Sequence, residues 1–136
     1  MKTCPNCLVI LKKQQYAYCS NRCQSEKRFL NYITEWKQGK HSGNIGISTG
    51  NISGHIRRYL KIKYTQCALC GWNKKHPRSG RIPLEIDHID GNSTNNRESN
   101  LRMICPNCHS LTFTYKNFNN GRGRIWRKNK YLKNVQ

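Results

Sequence analysis

Residues 84–92, "LEIDHIDGN", put three carboxylates around one histidine in a chain that is otherwise strongly basic. The protein has 136 residues, with 25 Lys+Arg against 6 Asp+Glu and a formal net charge of +19. Four of its acids, Glu85, Asp87, Asp90 and Glu98, nevertheless fall between positions 85 and 98. Within the stretch Leu84, Ile86 and His88 alternate with Glu85 and Asp87, the two-residue period of a strand. "DGNSTNNRES" is turn chemistry, Leu101–Ile104 is apolar enough for a return strand, and Pro106 suits the first turn of a helix. The expected core is therefore strand, loop, strand, helix, with the helix running through about Lys116. Adjacent strand residues point to opposite faces, so Asp87 and His88 must lie at a strand end or distortion if both serve one site.

Two cysteine pairs flank this unit. Cys67-Ala-Leu-Cys70 and Cys105-Pro-Asn-Cys108 supply the four ligands of a tetrahedral structural zinc site. The long chain between them is no obstacle, because doubling a loop costs only about 0.6 kcal/mol in closure entropy. Cys4, Cys7, Cys19 and Cys23 form a second such set near the N-terminus, and no cysteine is left over. With four thiolates each, neither site keeps a coordination position open for catalysis. Thiol–disulfide redox chemistry is the competing reading of a C-x-x-C pair, but neither pair sits in a strand-to-helix, parallel-sheet context. The apolar run "LVIL" near the N-terminus is too short for a secretory leader, and no segment is long enough to span a membrane. These features predict a cytoplasmic protein whose cysteines bind metal.

Only 35% of the residues are hydrophobic, so metal staples are expected to supplement a small core. Residues 24–38 place Phe29, Ile33 and Trp36 on one helical face, suited to packing. "HSGNIGISTGNISG" is rich in Gly, Ser and Asn and lacks charge, so it reads as a linker. The predicted organisation is a zinc module with its helix at 1–40, a linker at 41–54, a main domain at 55–118 and a basic tail at 119–136. The fold class is small α+β, stabilised by metal.

The net charge calls for a polyanionic partner. Two Zn(Cys)4 sites would lower the formal charge only to about +15. No basic amphipathic helix is long enough to favour a membrane surface, which leaves nucleic acid.

The order "LEIDHIDGN…NNRESNLRMICPNCHSLT" resembles the HNH endonucleases of the His-Me finger, or ββα-metal, group. Many of these carry their motif inside a C-x-x-C…C-x-x-C frame. The resemblance covers about positions 64–118. It implies that His88 is the general base, Asp87 and His109 ligate a catalytic divalent ion, and Asn100 braces the loop between the strands and orients His88. The chemistry suits those roles, since a neutral histidine accepts a proton near physiological pH and a cation stabilises charge on a phosphodiester. Mg²⁺ or Mn²⁺ is expected at such a site, with Ni²⁺ or Zn²⁺ admitted by the histidine ligand. The position where some relatives place a further His or Asn is Phe113, expected in the core. Glu85, Asp90 and Glu98 are expected to be solvated or to cap loops. His41, His55 and His76 are expected in surface or loop roles.

The resemblance implies double-stranded DNA as substrate, nicked one strand at a time, and a phage or mobile-element setting; monomer and dimer both stay open. Candidate phosphate contacts are Arg57 and Arg58 on a short helix and Lys74, Lys75, Arg78 and Arg81 in a basic loop. Arg122, Arg124, Arg127, Lys128 and Lys130 surround Trp126 in the tail, where aromatics can stack on bases. The principal alternative is a zinc-stapled nucleic-acid-binding module without catalysis; an RNA-directed protein is a further one.

Overall fold

The computed structural model describes residues 1–46 and 51–119. The chain divides into two compact units, Met1–His41 and Ser42–Gln136. Among the described residues no helix is long and apolar enough to cross a membrane.

In the first unit a tight turn follows Cys4. The Cys4 N–H reaches the Val9 carbonyl at 2.8 Å and the Leu8 N–H returns to the Cys4 carbonyl at 2.8 Å. Helix α1, Asn21–Lys37, begins at Ser20, whose hydroxyl accepts from the Cys23 N–H. That cap satisfies one of the amides a helix start leaves unpaired. Phe29, Ile33 and Trp36 are all buried, as their spacing predicts. His41 stacks on Tyr32 and its Nε2 lies 2.7 Å from Glu35.

The second unit is a small α+β assembly. Parts of the stretch 41–54 are built into it: Asn44 pairs with Ile52 in an antiparallel bridge, and the buried Ser53 caps helix α2, Gly54–Lys63. Strand β1, Glu85–His88, pairs antiparallel with β2, Leu101–Ile104, setting Asp87 opposite Arg102 and His88 opposite Leu101. Helix α2 packs against β2 through an apolar face that includes Ile56 and Leu60, both fully buried, while helix α3, Pro106–Ser110, packs against β1.

Gly91 turns the chain out of β1 at φ +73°, and a Cβ there would come within 2.7 Å of the Thr114 side chain. Only glycine fits that corner without a shift.

Helix α3 is shorter than its sequence suggests. It stops at Ser110, where the Thr112 hydroxyl donates to the His109 carbonyl at 2.9 Å. A β-branched residue whose hydroxyl competes for helix carbonyls favours termination. The early stop removes Phe113 from the helical face of His109. Phe113 is 97% exposed rather than part of the core.

Ile104, Cys67 and Cys105 form a buried cluster against which Trp72, Leu84 and Cys108 pack. Ile104→Ala should therefore cost about 2–5 kcal/mol, whereas Leu111→Ala, at an 83% exposed position, should change stability by less than about 0.5 kcal/mol. Guanidinium unfolding of the two variants checks the contrast.

Candidate active site

Two groups of four cysteines have ligand atoms all within 4.8 Å of one another, Cys4/Cys7/Cys19/Cys23 and Cys67/Cys70/Cys105/Cys108. Each group could hold a metal ion. The second joins the turn that precedes the hairpin to the start of α3. Ala68 donates to the Met103 carbonyl at 3.0 Å, and the Cys105 N–H points at the Cys67 sulfur at 3.3 Å. Cys105 is also the N-cap of α3, its sulfur accepting from the Cys108 N–H. Burial pushes the Cys67 thiol up, but N–H groups of Cys105, Cys70 and Leu69 outweigh it and hold the thiol near pKa 6. Hydrogen bonding to Cys70 and Cys105 instead pushes Cys108 up to about 12. Four thiols this close cannot all ionise alone, and a bound cation removes that conflict. The N-terminal group has the same split, with Cys4 lowered to about 6 chiefly by the Cys19 backbone N–H, and Cys19 raised to about 12 chiefly by Cys23.

Above the second cysteine group, the hairpin and α3 bring Asp87 and His109 together. The Asp87 side chain is only 3% exposed; its Oδ2 accepts from Arg102 Nε at 2.7 Å and its Oδ1 lies 3.9 Å from His109 Nε2. Two ligand bonds of about 2.1 Å can span that separation. The other ring nitrogen of His109, Nδ1, is 2.5 Å from Glu85 Oε2, and Tyr115 meets the ring edge-on. Glu85 thus fixes the imidazole so that Nε2 turns toward Asp87, as carboxylates do for metal-binding histidines. Expected to be solvated or to cap a loop, Glu85 instead holds a site residue.

His88 is the last residue of β1, the strand end required of it, and its Nε2 lies 2.7 Å from the side-chain Oδ1 of Asn96. The Asn100 carboxamide braces the loop between the strands: its Oδ1 accepts from the Asp90 N–H at 3.0 Å, and its Nδ2 donates to Asp90 Oδ1 and to the Asn95 carbonyl, each at 2.8 Å. Asp90 caps this loop, accepting from the Asn92 N–H and from Asn95 as well. Glu98 is a tether, taking hydrogen bonds from Tyr59 and Lys63 of α2. Each acid in the 85–98 cluster therefore has a specific partner.

Of the candidate phosphate contacts, Arg57, Arg58, Lys75 and Arg81 rim a groove of about 1010 Å³, joined by Lys61, over a floor that includes Leu84 and Met103. Lys74 and Arg78 stand exposed in the basic loop, whose turn is organised by His76 Nδ1 accepting from the Arg78 and Ser79 N–H groups. Arg122, Arg124, Trp126, Arg127, Lys128 and Lys130 lie outside the described residues.

Sequence reasoning missed Glu85, Arg102 and Asn96 as parts of this site. Arg102 was accessible in principle, since hairpin register sets it opposite Asp87. Asn96 sat among turn residues with nothing to single it out.

Burial raises the Asp90 pKa, but hydrogen bonds from Asn95, the Asn92 N–H and Asn100 outweigh it and hold the carboxyl below its usual range. A depressed carboxylate contributes stability above its unfolded pKa of about 3.9, and that contribution disappears as pH falls through the folded value. Asp90→Asn should thus be less stable at pH ~7 by roughly 0.5–1 kcal/mol, a figure kept small because Asp90 is exposed. The gap should close below about pH 4; chemical unfolding at several pH values checks it.

Residues 77–110 match the HNH endonuclease family. The H-N-H endonuclease F-TflIV of Escherichia phage T5 is 47% identical over 64 residues, covering 45% of this chain and 26% of that protein. The type II restriction enzyme NlaIII of Neisseria lactamica is 32% identical over 81 residues, covering 52% of this chain and 34% of that enzyme. The chain thus spans about a quarter and a third of the lengths of these relatives. No solved structure matches it significantly. The hairpin, loop and α3 that hold Asp87, His88, Asn100 and His109 all lie within the segment that matches the HNH endonuclease family.

Proposed function

We propose that the chain is a metal-dependent DNA endonuclease that nicks duplex DNA, built on a ββα-metal finger stapled by structural zinc. The observation that carries this reading is the buried Asp87 carboxylate aligned on His109 Nε2 at 3.9 Å, one residue before His88. A nucleic-acid-binding module has no need to bury a carboxylate in a basic chain and aim it at a histidine.

Asp87 and His109 would hold the divalent ion, with Arg102 and Glu85 fixing their orientations. When bound, that cation supplies positive charge to the scissile phosphate and the leaving oxygen. His88 takes a proton from the attacking water. Asn100 keeps the loop closed behind it through three hydrogen bonds. Zinc is the ion four thiolates select for a closed structural site, one for each cysteine group. The Arg57, Arg58, Lys61, Lys75 and Arg81 rim would follow a phosphate backbone, positioning the duplex without reading its sequence. Lys74, Arg78 and the tail cations would extend that contact.

Supercoiled plasmid incubated with the protein and Mg²⁺, Mn²⁺ or Ni²⁺ should convert to the open circle, and EDTA should stop it. His88→Ala should cut roughly 10²–10⁴-fold more slowly while binding plasmid equally well. A native chain that binds DNA but cuts nothing with any of these ions would leave the binding module as the function. Equal cutting by both proteins would remove His88 from the mechanism.

A further inference from the structure

We propose that Asn96 and Asn44 are positioning residues that lock His88 in one tautomer, with the proton on Nε2 and the lone pair on Nδ1. Asn96 is 2% exposed. Its Nδ2 donates to Asn44 Oδ1 at 2.6 Å, and its Oδ1 faces His88 Nε2 at 2.7 Å. A carboxamide oxygen only accepts and a carboxamide nitrogen only donates. With the nitrogen end directed at Asn44, the oxygen end meets the histidine, so His88 Nε2 must be the donor. Were Nε2 unprotonated, two lone pairs would oppose each other at 2.7 Å in a buried setting, where an unmet acceptor costs about 1–3 kcal/mol. A neutral imidazole with its proton on Nε2 keeps its basic lone pair on Nδ1.

Asn44 decides which way the Asn96 amide points. If nothing accepted from Nδ2, the carboxamide could turn over, offer its nitrogen to His88 and stabilise the opposite tautomer. Asn44 is itself anchored by its bridge to Ile52 and by its N–H to the Ser42 hydroxyl at 3.3 Å. It lies outside the segment 77–110 that matches the family. The uncharged stretch before α2 thereby contributes a residue to the site.

This inference rests on the reading of His88 as the proton acceptor, but its test does not need cleavage. Side-chain ¹⁵N–¹H NMR on histidine-labelled full-length protein, at pH ~8, above the ordinary imidazole pKa of about 6.5, reports the tautomer directly. The native chain should show His88 protonated on Nε2. Asn44→Ala should move His88 toward a mixture of tautomers, and Asn44→Asp, which keeps an acceptor facing Asn96 Nδ2, should restore the native pattern. Asn96→Ala should lose the preference outright, and where that variant does not fold, the pair at position 44 carries the test. In the nicking assay Asn44→Ala should lower kcat by roughly tenfold with KM little changed, and Asn44→Asp should recover it. A native His88 protonated on Nδ1 would overturn the proposal, as would Asn44→Ala and Asn44→Asp behaving alike. If the tautomers follow this pattern but His88→Ala still cuts, the relay stands and the role of His88 as base falls.

Discussion

The fold of the second unit depends on the convergence of Cys67, Cys70, Cys105 and Cys108. Their sulfurs gather within 4.8 Å, where a bound metal ion would pin the turn before the hairpin to the first residues of α3. Little else could do so, because α3 has only five residues and a helix that short has no independent stability. Through this junction His109, directly after Cys108, is brought opposite Asp87 on β1. His109, on a helix too short to stand alone, is thus placed by the cysteine beside it. The apolar cluster of Ile104, Cys67, Cys105 and their neighbours is small, so the staple and the core reinforce each other at one point.

Charge explains the acids of a basic chain. Asp87 is buried against Arg102 and turned to His109, Glu85 orients that histidine, Asp90 closes the loop through Asn92, Asn95 and Asn100, and Glu98 ties the end of the loop to Tyr59 and Lys63. Each negative charge is consumed by a nearby donor. The surrounding surface is left to its cations, which suits the approach of a polyanion.

Much of this was legible in the sequence. The close cysteine pairs announced both cysteine groups, the alternation from Leu84 announced β1, and the spacing of Phe29, Ile33 and Trp36 announced the buried face of α1. What escaped was decided by tertiary contacts. Alternation shows which residues share a face but not what covers it, and α3 lies on the acidic face, so Asp87 is more buried than Ile86. Helix α3 ends at Ser110 with the Thr112 hydroxyl on the His109 carbonyl, and Phe113 lies at the surface rather than in the expected core. The stretch read as a linker holds Asn44 and the Ser53 cap of α2, because its polar residues make specific hydrogen bonds that composition cannot distinguish from solvation.

The proposed fold and site require metal at the cysteine groups. X-ray absorption at the zinc edge, on protein purified without added metal or chelator, measures this most directly. They predict four sulfur neighbours at about 2.3 Å and no nitrogen or oxygen in the first shell, with two zinc ions per chain by native mass spectrometry. Protein that is folded, free of metal and carrying disulfides in place of thiolates would contradict them.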